Sequence, residues 1–166
     1  MTVKKRKVAC FVFGVIFVII ISLIIISNYN YKKEYSIFLE KKTQWEEMKL
    51  FNYQYHIRNS GNCYTYYFDI ISNVENGSYL EDDEYLNYKI AGRYMTIDNI
   101  YNEIEIEYKN NEDDFIKGIF YRINIEYDNT YHYPKKIKYS WIPIPSLFIT
   151  DRGSYIVYNI DNFMIK

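Results

Sequence analysis

The stretch IEYDNTYHYPKKIKY, residues 125–139, holds two runs in which apolar and polar residues alternate, joined by Asp128, Asn129, Thr130, His132 and Pro134. Alternation of period two puts Ile125 and Tyr127 on one face of an extended strand, and Ile137 and Tyr139 on one face of the next. Asp and Asn bond their own local backbone in turns, and proline opens a strand where no amide is needed. The stretch thus predicts two antiparallel strands and a connection of hairpin size. Tyr127, Asp128, His132 and Tyr133 could be arranged as catalysts, but the turn accounts for them without any chemistry.

Working outward, the first run reaches back through Ile123 and Tyr121 to Ile119, and the second runs on to Trp141. Upstream, Tyr53, Tyr55 and Ile57 alternate with Gln54, His56 and Arg58. Beyond Asn59-Ser60-Gly61-Asn62, the residues Tyr64, Tyr66, Phe68 and Ile70 share a face, which predicts a second hairpin. A turn at Asn76-Gly77 leads into a short strand at 78–80, and a last strand at about 154–163 places Ile156, Tyr158 and Ile160 together. Between the strand groups, Thr96 is placed to cap a helix with Ile97, Ile100, Tyr101, Ile104 and Tyr108 on one face and Asn102, Glu103 and Glu107 toward water. An earlier helical pattern carries Tyr31, Tyr35, Phe38, Trp45 and Met48. Within it, Thr43-Gln44-Trp45-Glu46 has the form of a capping box, which predicts a break and a fresh helix over 44–50. Helices and strands in this order, with connections too short for parallel crossovers, predict an α+β fold: an antiparallel β-sheet with helices packed on one face.

The N-terminus is of a different kind. VACFVFGVIFVIIISLIII, residues 8–26, has no charge and is preceded by Lys4, Lys5, Arg6 and Lys7. As a helix it is roughly 28 Å long, close to the hydrocarbon thickness of a bilayer. The run is longer than the apolar core of a cleavable signal, and Ile25 stands where a small residue would precede cleavage after Ser27. Cys10 lies ahead of nearly all the apolar run, so it reads as part of the span rather than as a lipid-modified cysteine. The expected organisation is a cytoplasmic basic tail over 1–7, a transmembrane helix over 8–26, a helical stalk over 27–42 and an exported α+β domain over 43–166. The charge bias across the span is modest. The short basic tail is the part easily left in the cytoplasm.

Four of the 20 basic residues lie in the tail, leaving 16 against 21 acidic residues, so the body gives no electrostatic reason to expect nucleic acid. The 21 tyrosines suggest a stacking surface, but Ile, Lys, Asn and Phe are abundant with them, as an AT-rich coding sequence would produce. His56 and His132, the only histidines, fall on a polar strand face and in a turn and read as solvated. No cluster of His, Cys or carboxylates has zinc spacing, and no metal or other cofactor is expected. Cys63 has no base and orienting group around it in the manner of a nucleophile, and with Cys10 in the membrane it has no partner within the chain. The acidic groups 81–84 and 112–114 lack the glycine of a calcium loop. Phosphate-loop and dinucleotide fingerprints are missing too, and an enzyme is not expected.

The least bland feature is Trp141-Ile142-Pro143-Ile144-Pro145-Ser146-Leu147-Phe148-Ile149, where two prolines exclude a central strand while the apolar content stays high. Such a loop closes the end of a core or meets a partner. Trp141, Ile144, Leu147 and Phe148 are the candidate contact residues.

Taken jointly, Trp45, Asn52-Tyr53-Gln54-Tyr55, Cys63, Asn76-Gly77, Thr96-Ile97-Asp98-Asn99-Ile100-Tyr101 and Tyr127-Asp128 followed by Tyr133-Pro134-Lys135-Lys136-Ile137 resemble a bacterial envelope family, domain of unknown function family 6174. The resemblance runs from about residue 45 to 163. The chain departs from the family pattern at Asn129, often Pro, at His132, often Gly, and at Cys63, which stands alone where many members show Cys-x-Cys. The resemblance implies a small secreted or membrane-anchored domain and supplies no catalytic residues. The functional expectation is a single-pass membrane protein whose exported domain binds a protein or cell-wall partner. The alternative is a structural accessory subunit acting through its span and stalk.

Overall fold

In the computed structural model, which describes residues 3–61, 69–80, 96–112, 121–141 and 155–166, the chain begins with one long helix, α1 (Val3–Met48). At 46 residues it is about 69 Å long. Its apolar part has room to cross a membrane by length and composition, and none of the described side chains there is buried. Farther along, Tyr31, Tyr35, Phe38 and Trp45 turn one face toward the domain, and Phe38 and Trp45 are buried.

The expected break at Thr43 does not occur. Thr43 Oγ1 donates to the carbonyl of Leu39, 3.0 Å away, which is the back-bond of a helix interior and not of a cap. Glu46 lies 3.9 Å from Lys42 instead of reaching back to an amide. Nothing in 39–42 opposes helix, and burial of Phe38 and Trp45 on either side holds the turns between them in register. The helix ends at Met48 because Lys49 takes a left-handed backbone, φ 50°.

Among the described residues six strands form one sheet: β1 (Tyr53–Gly61), β2 (Asp69–Glu75), β3 (Ser78–Tyr79), β4 (Tyr121–Tyr127), β5 (Pro134–Trp141) and β6 (Tyr155–Ile165). Their order is β3-β2-β1-β6-β5-β4, and every pairing is antiparallel. The first and last strands are therefore neighbours at the centre, flanked by two meanders, and α2 (Ile97–Glu112) leads from one half to the other. The fold is α+β, as its sequence pattern predicts.

The apolar residues of α2 fall as expected, with Ile97, Ile100, Tyr101, Ile104 and Tyr108 in the core, whereas Glu103 and Glu107 are half-buried and Glu107 accepts from the Tyr121 hydroxyl at 3.1 Å. Thr96 Oγ1 accepts from Asn99 N at 3.0 Å and the Tyr53 hydroxyl accepts from Ile97 N at 3.1 Å, so the first amides of the helix are satisfied. Trp45 Nε1 donates to Asp98 at 3.1 Å, joining the two helices at that end. Lys42 joins them midway, 2.5 Å from Glu105 and 3.1 Å from Asn102. Nearer the middle of α1, the Tyr31 hydroxyl donates to the Tyr108 carbonyl.

Residues 128–133 form the turn that the alternating runs imply. Asp128 Oδ1 accepts from the amides of Thr130 and Tyr131 at 2.8 and 2.7 Å, and Pro134 opens β5. His132 holds φ 61°, a left-handed value that suits glycine. The Tyr101 hydroxyl donates to its carbonyl at 2.5 Å.

One irregularity has no trace in the alternation. Gln54 pairs with Met164 but His56 pairs with Asp161, so β6 carries an extra residue, and Asn162 has φ 53°. This bulge lets both Ile160 and Phe163 point inward although they are three apart. Phe163 then stacks on Tyr133 and Tyr53 and meets Trp45 edge-on. A second aromatic cluster, Tyr35, Phe38, Tyr101 and Tyr108, fills the seam between the helices. Tyrosine is thus largely a core residue in this protein.

Candidate functional site on the open sheet face

Both helices lie on one face of the sheet, and among the described residues no element covers the other, whose side chains are half-buried or exposed. Period two places alternate residues of each strand there. The register then builds rows: Asp69, Arg58, Asn159, Lys136 and Glu126 across five strands, and Ile71, His56 and Asp161 across three. Ile71 is 58% exposed amid this polar surface.

At the centre stands His56. Its Nδ1 lies 3.0 Å from Asp161, and its Nε2 contacts Asp69. Arg58 donates to the other oxygen of Asp161 at 2.9 Å. His56 is on the polar face, as its place in β1 predicts, but it is half-buried between two carboxylates instead of solvated. The cause is tertiary: Asp69 comes from β2 and Asp161 from the bulged end of β6, so a single strand's pattern holds no sign of either. The two ring nitrogens face different carboxylates, and no group of three His, Cys, Asp or Glu among the described residues is arranged for a metal. What the arrangement offers is a rigid patch of mixed charge, with Arg58 half-exposed beside it.

At the end of the sheet where α1 stops, an open cleft of about 600 Å³ lies between Trp45, Lys49 and Phe51 of the α1 terminus, Tyr79 of β3 and Asp98 of α2. Beside the turn, Lys41 Nζ lies 3.4 Å from Nδ1 of His132, which is half-buried and not simply solvated. Trp141 closes β5 opposite Tyr121. Ile144, Leu147 and Phe148 lie outside the described residues, as do Cys63, Tyr64, Tyr66, Phe68, Ile119 and the acidic group 81–84.

The arrangement defines a helix-anchored α+β domain: an apolar helix continuous with the core, and a six-stranded antiparallel sheet covered on one side. The chain belongs to the family of unknown function DUF6174, whose model matches residues 37–161. That match starts one residue before buried Phe38, within α1, so the family's domain includes the last part of this helix. No curated protein and no solved structure matches the chain.

Proposed function

We propose that the protein is a single-pass bacterial envelope protein with its basic tail in the cytoplasm and its domain outside, and that the open sheet face binds a protein or cell-wall partner. The observation that carries this reading is the continuity of α1, which passes from a segment fit to span a membrane into the core without a joint. A hinged stalk would let the domain tumble. A core helix instead fixes the sheet relative to the bilayer, which lowers the orientational cost of meeting a partner held in the same envelope. The mixed charges around His56 and the exposed Ile71 supply polar and apolar contact on a surface that no other described element covers.

Topology is tested with Lys135→Cys, an exposed position, in a Cys63→Ser background. An impermeant maleimide should label it on intact cells, and protection refutes the orientation. For the partner, Arg58→Glu with Ile71→Asp should abolish in-cell cross-linking to protein or cell wall, while exchange of residues 8–26 for an unrelated apolar span should preserve it. The reverse result identifies a subunit that acts through its span.

A further inference from the structure

Because α1 is unbroken, it also fixes heights. If Ile26 ends the span, Ser27, Asn30, Tyr31 and Glu34 stand roughly 1.5, 6, 7.5 and 12 Å beyond it along the helix. The headgroup layer occupies about 5–8 Å on each side of the hydrocarbon, and the Glu34 side chain, which leaves the helix tilted toward its N-terminus, reaches back down toward that layer. Against these residues packs the start of β4, and Tyr121, Arg122 and Ile123 complete a cavity of about 50 Å³ with them. A single water needs about 10–15 Å³ of such space, so a group the size of a phosphate has room, whereas a whole lipid does not.

The walls carry one charge of each sign. Arg122 is exposed, and among the described residues its guanidinium has Glu34 as electrostatic neighbour and no hydrogen-bonding acceptor. Burial pushes the Glu34 carboxyl up and Arg122 pulls it down, so the two charges sense each other across the open mouth of the cavity. Asn30 adds an exposed amide, and Lys32 and Lys33 are exposed on the same turns of α1. A guanidinium suits a phosphate and a carboxylate suits a primary ammonium.

We propose that this cavity is a membrane-lipid site for a phosphoethanolamine headgroup, with the phosphate on Arg122 and the ammonium on Glu34. A choline headgroup offers the phosphate but no N–H for Glu34, and a glycerol headgroup offers no cation. The proposal requires α1 to span a bilayer but is independent of which side the domain faces and of any partner.

The full-length protein is placed in nanodiscs of phosphatidylcholine alone, or with phosphatidylethanolamine or phosphatidylglycerol added, and melting is followed by the fluorescence of buried Trp45. Phosphatidylethanolamine should raise Tm by about 3 °C over phosphatidylcholine alone, a shift of the size saturating ligand binding gives. Glu34→Gln should erase that difference, and Arg122→Gln should remove the response to every headgroup. Equal Tm in all three lipids, or a preference that survives Glu34→Gln, overturns the site. Should a variant fail to fold, the comparison of lipids on the unaltered protein still decides. Failure to enter nanodiscs at all refutes the anchor and with it the site, whereas equal Tm in lipids that the protein does enter refutes the site alone.

Discussion

Raising the pH should unfold this protein through its tyrosines. Burial pushes the hydroxyls of Tyr53, Tyr55, Tyr101, Tyr108, Tyr127 and Tyr139 well above their ordinary value of 10, and Tyr133 is pushed up to about 12. Each has a folded-state pKa above its unfolded one. The stability it contributes is therefore complete below pH 10 and lost as pH rises, because only the unfolded chain ionises there. For the first six alone, the linkage integral gives a loss of about 2.5 kcal/mol at pH 10, about 5 at pH 10.5 and about 8.5 at pH 11. Small domains carry about 5–15 kcal/mol in all, so the fold should give way between roughly pH 10.5 and 11.5.

The assay is phenolate absorbance followed alongside far-ultraviolet circular dichroism on the detergent-solubilised protein. The phenolate signal of these six tyrosines should appear in one steep step that coincides with loss of sheet and helix. A single broad titration centred near 10, with the dichroism intact beyond pH 12, would mean that these rings are not in the core, and the packing described above would be wrong.

Further outcomes follow from single contacts. Among the described residues the Tyr139 hydroxyl alone is buried without a hydrogen-bond partner, so Tyr139→Phe should hold or raise stability by up to about 1 kcal/mol, whereas Tyr101→Phe, which orphans the His132 carbonyl, should lose about 1–3 kcal/mol in urea unfolding. His132→Gly exchanges relief of a left-handed residue, about 1–2 kcal/mol, for the greater freedom of unfolded glycine, about 0.4–1 kcal/mol; the net should lie between no change and a gain of about 1.6 kcal/mol, and a clear loss would give the side chain a role beyond its contact with Lys41. A fragment beginning at Asn28 should fold, while one beginning at Thr43 should not, because it lacks Tyr31, Tyr35 and Phe38, of which Phe38 alone is worth about 1.5–3 kcal/mol of apolar burial.

That last pair of fragments marks where sequence reading meets its limit. Alternation at Tyr53, Tyr55, Ile57, Ile123, Ile137 and Tyr158 correctly told which face each strand buries, and Thr96 correctly told where α2 begins, because face and cap are decided within a few residues. Which strands are neighbours is not decided locally. Nothing in 53–61 or 155–165 announces that these two runs pair at the centre of the sheet. The His56 cluster depends on that pairing and on the bulge at Asn162 together, so two polar residues 105 positions apart read separately as solvent-facing. The capping box at Thr43 failed for the converse reason. A local motif competes with the burial of residues on either side, and a cap worth about 1 kcal/mol loses to a helix whose continuation seats Phe38 and Trp45 in the same core. The consequence reaches beyond secondary structure. Since the residues that override the cap are the ones that bind α1 to the sheet, the apolar N-terminal segment and the domain share one unbroken helix, and the place of Arg122 along that helix is set by the core packing of the protein.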